Sequence, residues 1–366
     1  MFPPPSHRDQ DPDNSIRLTD TDAAVARLSA AQKQYFHDPF IKYFVPRAHL
    51  QPPRPPLINV GTFVRSTAID NLVENWLLSS ERAGQRCQIV SFGSGSDTRF
   101  WRIAAGPHKD TIAKYIEIDF PEITSKKALA IRKSDILSQG LGDSADILLC
   151  NGGTTLHSPV YHLLSVDLRL PPATTLESVL ISPSPNSTTG SLLSVNLPTL
   201  LLFECVLVYM SPSASSALLR WFVKYFSSST EQSVLGSVVY EMFGLGDAFG
   251  RVMVNNLRAR RISLPGVEPY PNIQSLPSRF LDAGFTTGFG LNLREIREGY
   301  IDPAELKRIS TLEMLDEVEE LELLLEHYAI SWGVFSTSPD LNTWEEWGLV
   351  QKKNMVEEDL DQRHNG

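Results

Sequence analysis

Gly93 and Gly95 stand one residue apart after the apolar run Gln88-Ile89-Val90-Ser91-Phe92, and Asp119 closes the next such run, Lys114-Tyr115-Ile116-Glu117-Ile118. Glycine lets a ligand approach the backbone because no Cβ stands in the way. A carboxylate at the tip of the following strand can accept hydrogen bonds from both hydroxyls of a ribose. Together they read as the two halves of a nucleoside-binding edge. Singly, each has another reading. Gly-x-Gly alone also serves a plain strand-to-helix turn, and an Asp shortly before Pro121-Glu122 is a good helix cap. The dinucleotide fingerprint Gly-x-Gly-x-x-Gly is not completed, because its third position is Thr98.

Two further acids end apolar runs. Tyr161 to Val166 delivers Asp167-Leu168, where the acid suits an adenine amino group and the leucine a ring face, or the acid is simply solvated. Leu200-Leu201-Leu202-Phe203 delivers Glu204. A carboxylate at the tip of a buried strand is costly unless it is paired or faces a cleft. Arg65 precedes an apolar stripe at Ile69, Leu72, Val73, Trp76 and Leu77, which places it at a helix start. A cation there opposes the helix dipole, and binding of carboxylates supplies a reason for it. No Ser/His/Asp or Cys/His arrangement emerges. Cys87, Cys150 and Cys205 lie in apolar contexts without metal-ligand spacing, so reduced core thiols and no metal are expected.

These residues need a sheet to hold them. Strands at 88–92, 114–119, 161–166, 200–203, 233–240 and 328–337 alternate with helical stretches, the pattern of an α/β fold with a mainly parallel sheet. Before them, a helix capped by Thr19-Asp20-Thr21-Asp22 runs to about Tyr35, and Pro46 to Pro56 forms an extended connector. Ser211-Pro212 and Asp247 open later helices. Arg251, Arg258, Arg260 and Arg261 on the second of these form either a solvated face or a docking patch for an acidic partner. A stripe from Leu312 through Leu315, Val318 and Leu321 to Leu325 predicts another helix.

The segments Gly93-Ser94-Gly95-Ser96-Asp97-Thr98, Glu117-Ile118-Asp119-Phe120-Pro121, Ser165-Val166-Asp167-Leu168-Arg169 and Glu204-Cys205-Val206-Leu207-Val208-Tyr209-Met210-Ser211-Pro212 occur in that order. With Arg65 and the stretch 244–261 they resemble the leucine carboxyl methyltransferases. These are S-adenosylmethionine enzymes that methylate the C-terminal leucine of the type 2A protein phosphatase catalytic subunit. The resemblance runs from about residue 20 to about residue 332, and Glu204 to Met210 is its most specific element.

The resemblance implies a Rossmann-like, seven-stranded methyltransferase fold with an N-terminal helical cap and inserted helices. It implies cofactor contacts from Arg27, Arg65, Gly93, Gly95, Asp119, Asp167, Leu168 and Glu204, with Arg65 and Tyr209 at the reacting groups. Arg27 matches a basic position that meets the methionine carboxylate, with Lys33 as the alternative register. Ser94, Ser96 and Arg27 depart from the family pattern. The implied division is a disordered stretch 1–15 and one catalytic domain 16–338, followed by a loosely attached tail 339–366. Within the domain lie a cap at 16–60, a low-complexity insertion at 171–198 and a substrate-side helical insertion at 241–300. The implied partner is the phosphatase, engaged through its C-terminal tail and its catalytic core. Alternatives are methylation of a small-molecule or modified transfer-RNA carboxyl, a non-catalytic phosphatase-binding scaffold, and a nicotinamide oxidoreductase.

A net charge of −10 argues against a broad nucleic-acid-binding face. No apolar run reaches membrane-spanning length, and Met1-Phe2-Pro3-Pro4-Pro5 is not a signal peptide. A monomer located in the cytoplasm, with the nucleus as a further compartment, is the expectation.

Overall fold

The computed structural model describes residue 11 and residues 13–182, 190–229, 232–337, 344 and 346–352. The chain opens with α1 (Asn14–Gln32), α2 (Ile41–Phe44) and α3 (Pro56–Arg82). β1 (Cys87–Phe92), α4 (Arg99–Ala104), β2 (Ile112–Asp119), α5 (Pro121–Lys133) and α6 (Asp135–Gln139) follow. Next come the short β3 (Leu148–Cys150) and β4 (Thr155–His157), then β5 (Tyr161–Ser165), β6 (Thr199–Glu204), α7 (Pro212–Ser227) and β7 (Val234–Met242). The last part holds α8 (Ala248–Ala259), α9 (Ser278–Ala283), β8 (Phe289–Asn292), α10 (Leu293–Gly299), α11 (Pro303–Ile309), α12 (Val318–Glu326) and β9 (Tyr328–Ser336).

The nine strands form one sheet in the order β3-β4-β5-β2-β1-β6-β7-β9-β8. β5, β2, β1, β6 and β7 are parallel, while β9 and β8 run antiparallel to their neighbours. The expected seven strands are therefore present from β5 to β8, and the β3–β4 hairpin extends one edge. The chain winds outward from β1 through β2 to β5, then returns to β1's other side as β6. The switch point between β1 and β6 opens a crevice beyond the carboxyl ends of the strands, where ligands bind in such sheets.

Apolar side chains cover both faces of the sheet. One cluster is centred on α3, with Ile69, Leu72 and Trp76 fully buried. The other is centred on α7, where Leu218, Leu219, Phe222 and Phe226 pack on Phe92 and Phe203. Trp76 lies so close to β7 that a Cβ on Gly236 would stand 2.4 Å from its ring. That position admits only glycine.

Several boundaries differ from the sequence reading. α1 begins at Asn14 rather than near Thr19, so residues 14 and 15 are helical; most of the expected disordered stretch lies outside the described residues. α3 begins at Pro56, with proline in its first turn, which puts Arg65 in mid-helix. The dipole argument for Arg65 is thereby withdrawn, and its charge needs a partner of another kind. The connector before α3 contains a 3-10 turn at Ala48–Leu50. The 312–325 stripe is helical only over Val318–Glu326. Cys150 is exposed, while Cys87 is buried and Cys205 partly so; all three are free thiols.

The expected loose attachment of the tail does not hold for its described residues, 344 and 346–352. Trp344 and Trp347 are buried against Trp76, with ring centroids 4.5 and 5.0 Å away. The Trp347 indole donates to the Leu72 carbonyl at 2.9 Å, and Asn75 donates to the Gly348 carbonyl at 2.8 Å. Two large aromatics outweigh the polar composition around them. Among the described residues, no helix is long and apolar enough to cross a membrane.

Candidate active site

The crevice encloses about 260 Å³ and is walled by α1, by the loops after β1, β2, β5 and β6, and by Arg65 of α3. All the residues singled out from the sequence except Lys33 line it: Arg27, Arg65, Gly93, Gly95, Asp119, Asp167, Leu168, Glu204 and Tyr209. Lys33 instead pairs with Glu313 at 3.0 Å.

The loop after β1 turns through two glycines of positive φ, +58° at Gly93 and +46° at Gly95. Side chains disfavour that backbone conformation, so the turn itself selects glycine. The crowding neighbours are protein atoms. A Cβ at Gly93 would meet Val206 at 2.5 Å, and one at Gly95 would meet Asp20 Oδ1 of α1 at 2.6 Å.

Asp119 lies at the tip of β2 and its Oδ2 accepts the Gly95 N–H at 2.8 Å, while Oδ1 accepts the Phe120 N–H at 2.7 Å. Burial pushes its pKa up to about 6, against the pull of those two N–H groups. As an alternative to ligand binding, the sequence offered an N-cap role for Asp119. The residue flanking α5 is Phe120, with no side-chain cap bond. Asp167 is fixed by Arg169, which donates to Oδ1 at 2.9 Å and Oδ2 at 2.7 Å and holds the carboxyl below the usual range. The same guanidinium reaches both oxygens of Asp13 at 2.6 and 2.7 Å, linking the start of α1 to the β5 loop.

Arg27 is buried. Its Nε donates to Asp38 Oδ2 at 2.5 Å and its Nη1 to Ser66 Oγ at 3.1 Å. Asp38 also accepts from Thr98 Oγ1 at 2.6 Å. The threonine that breaks the dinucleotide fingerprint thus braces the carboxylate that orients Arg27. Arg27 Nη2 and Ser94 Oγ are buried and have no partner among the described residues. A buried guanidinium nitrogen without an acceptor is costly, and a ligand carboxylate would satisfy it.

Glu204 ends β6, and Cys205 after it has a φ of +53° that turns the chain sharply into the crevice wall. Glu204 lies between two arginines, with Oε1 2.9 Å from Arg99 Nη2 and Oε2 3.5 Å from Arg65 Nε. Arg65 also lies over the Tyr240 ring at 5.1 Å. Burial opposes its charge, but Glu204, Tyr240 and Cys205 together raise its pKa above the ordinary arginine value. Burial pushes the Cys205 thiol up to about 12 and raises the Tyr209 phenol as well. Neither supplies an anion at neutral pH. Tyr209 is therefore a neutral hydroxyl at the crevice wall.

Sequence reasoning missed Asp20, Asp38 and Arg99. Asp38 sits in a His37-Asp38-Pro39 turn that reads only as a helix breaker. Arg99 reads only as the end of the glycine loop, and its acceptor Glu204 lies 105 positions away.

The crevice as a whole offers acceptors at the tips of β2 and β5, a guanidinium on α1 with one nitrogen unpaired among the described residues, and a second cation at Glu204. A ligand carrying a ribose, a purine amino group and a carboxylate fits that set. Comparison with known proteins gives concordant results. The model of a family described as leucine carboxyl methyltransferase matches residues 16–223. Leucine carboxyl methyltransferase 1 of Cryptococcus neoformans is 44% identical over 354 residues, covering 90% of this chain and 95% of that protein. The protein of the same name from Emericella nidulans is 37% identical, over 91% of this chain and 88% of that one. The Bos taurus protein is 34% identical, over 88% of this chain and 90% of its own length.

Proposed function

The chain belongs to the leucine carboxyl methyltransferase family, and from that premise we propose the reaction it catalyses. It transfers the methyl group of S-adenosylmethionine to the C-terminal leucine α-carboxylate of the type 2A protein phosphatase catalytic subunit, forming a methyl ester. The observation that carries this reading is that two arginines in one crevice, buried Arg27 and partly buried Arg65, each keep a guanidinium nitrogen without a hydrogen-bond partner among the described residues. The free nitrogen of Arg27 is Nη2, and that of Arg65 is Nε, which only faces Glu204 Oε2 in a long 3.5 Å ion pair.

The residues fit the cofactor as follows. Asp119 accepts from the ribose, Asp167 accepts from the adenine amino group with Leu168 against the ring, and Arg27 takes the methionine carboxylate. Gly93 and Gly95 keep the turn tight, and Glu204 completes the wall. When bound, the cofactor supplies an electrophilic methyl on a sulfonium.

The rest of the chemistry is orientation. An α-carboxyl group has a pKa of about 3.3–3.7, so the substrate is ionised at neutral pH and no general base is required. A hydrated carboxylate is a poor nucleophile, and holding it in line is worth up to about 7–11 kcal/mol in well-oriented cases. Arg65 presents a planar fork to its two oxygens. Because Glu204 shares that guanidinium, Arg65 positions the substrate without neutralising it fully, which preserves the nucleophile. Tyr209 donates a hydroxyl at the same wall.

The test is a peptide carrying the phosphatase C-terminus, offered with labelled cofactor as the free acid and as leucinamide. Labelling of the acid alone is expected. Equal labelling of the amide would refute carboxyl transfer.

A further inference from the structure

Beside the crevice lies a row of charges, Arg102, Asp70, Arg99 and Asp97, to which the reaction above gives no role; of these Arg99 is buried. Arg102 donates to Asp70 Oδ2 at 2.5 Å and Oδ1 at 3.0 Å, and Arg99 Nε donates to the same Oδ1 at 3.0 Å. Arg99 Nη1 reaches Asp97 Oδ2 at 2.6 Å, and its Nη2 lies 2.9 Å from Glu204 Oε1. The Arg99 side chain is only 3% exposed. Its three nitrogens therefore address three carboxylates, from α3, from the glycine loop and from the tip of β6.

We propose that Arg99 is a positioning residue for methyl transfer, acting through Glu204 on Arg65. The inference rests on the functional reading above and extends it to Arg99, a crevice-lining residue to which that reading gives no ligand contact. The argument is geometric. Glu204 has two oxygens and two arginine neighbours. The contact to Arg99 is short and buried, whereas that to Arg65 is 3.5 Å and partly exposed. Arg99 thus fixes the carboxylate plane, and the loose second contact leaves Arg65 able to grip a substrate carboxylate. Without Arg99, Glu204 is free to rotate and form a two-oxygen pair with Arg65, turning the fork away from the substrate. Only a guanidinium can hold three acceptors in one plane, so lysine at position 99 keeps the charge and loses the hold on Glu204.

The experiment is a double-mutant cycle of Arg99→Lys and Glu204→Gln in the full chain. It reads methyl transfer to the leucine-ended peptide, and also binding of the acid and amide peptides by enzyme loaded with S-adenosylhomocysteine. Arg99→Lys is expected to lower kcat by roughly 10- to 100-fold, with cofactor affinity within about threefold of wild type. The acid-over-amide binding preference is expected to shrink by a similar factor. In the Glu204→Gln background the same change is expected to cost less than about threefold, because residues acting as one unit are non-additive.

Losses that multiply independently in the double variant would overturn the proposal, as would a folded Arg99→Lys enzyme with wild-type kcat. Should Arg99→Lys not fold, Glu204→Asp serves instead, since the shorter acid cannot reach both arginines. It is expected to show the same fall in kcat, and wild-type kcat would overturn the proposal. A wild-type enzyme that binds the acid peptide without labelling it would overturn the functional reading, while the binding cycle still decides the role of Arg99.

Discussion

Gly95 and Asp119 are joined by a 2.8 Å hydrogen bond from the loop amide to the carboxylate, so the glycine turn after β1 and the acid at the tip of β2 form one unit. Each holds the other in place. Asp119 spends part of its acceptor capacity on the loop and keeps the remainder for a ligand.

Burial pushes Asp119 up to about 6, so its protonation lies within reach of ordinary buffers. In the proposed binding mode ribose hydroxyls donate to the ionised carboxylate, which would couple cofactor binding to loss of this proton. Affinity is expected to be flat above pH 6 and to fall as pH drops through 6, approaching about tenfold per unit. For the cofactor-free protein the sign is opposite. An acid whose folded pKa exceeds its unfolded value of about 3.9 favours the fold when protonated, so this contribution is lost as pH rises from about 4 to 6. Asp119→Asn should abolish the pH dependence of binding and weaken affinity by about 1.5–3 kcal/mol, measured by titration calorimetry. An unchanged profile would show that Asp119 does not meet the ligand.

Arg27 and Lys33 are the two register choices for the cofactor carboxylate. Arg27→Ala is expected to weaken cofactor binding by roughly 10- to 100-fold, as for loss of a charged hydrogen bond. Lys33→Ala, which removes only a half-exposed pair with Glu313, is expected to leave it unchanged. The reverse ranking would return the assignment to Lys33.

Arg65→Lys keeps the charge and removes the fork. Its kcat/KM is expected to fall on the order of 100-fold if the substrate carboxylate shifts by about 1 Å, with the melting temperature little changed. Arg65→Ala should lose more. Neither loss should depend on pH well above the substrate's own titration, because no enzyme base takes part. A folded, cofactor-saturated Arg65→Lys enzyme with wild-type turnover would end the geometric role.

The two terminal tryptophans make a stability prediction. Trp347 fills space against Trp76 and satisfies its indole N–H on the Leu72 carbonyl. Trp347→Ala should cost about 3–5 kcal/mol, seen as a lowered thermal midpoint, while cofactor affinity at low temperature stays unchanged. A chain ending at residue 337 should be destabilised further. Wild-type melting of either variant would restore the loose tail.

What could be read from the sequence divides along physical lines. Strands buried on both faces are continuous apolar runs, so β1, β2, β5 and β6 and the acids at their tips were legible from composition alone. Asp119, Asp167 and Glu204 therefore met in one crevice as expected. Arg65 was found for a reason that failed, because α3 extends nine residues before it and the dipole is not felt in mid-helix. Arg99 and Asp38 were not found, since the partners that give them a place in the site, Asp70 and Glu204 for the one and Thr98 for the other, lie 29 to 105 positions away and only the fold brings them together. Trp344 and Trp347 were missed because two aromatics in a polar stretch show no periodicity.

The central claim is tested most directly on the phosphatase itself. Catalytic subunit with its native C-terminus, and the same subunit lacking only the terminal leucine, are incubated with this enzyme and methyl-labelled S-adenosylmethionine. The label should enter the intact subunit alone, as a base-labile ester at the C-terminus. Equal labelling of the two would contradict the account.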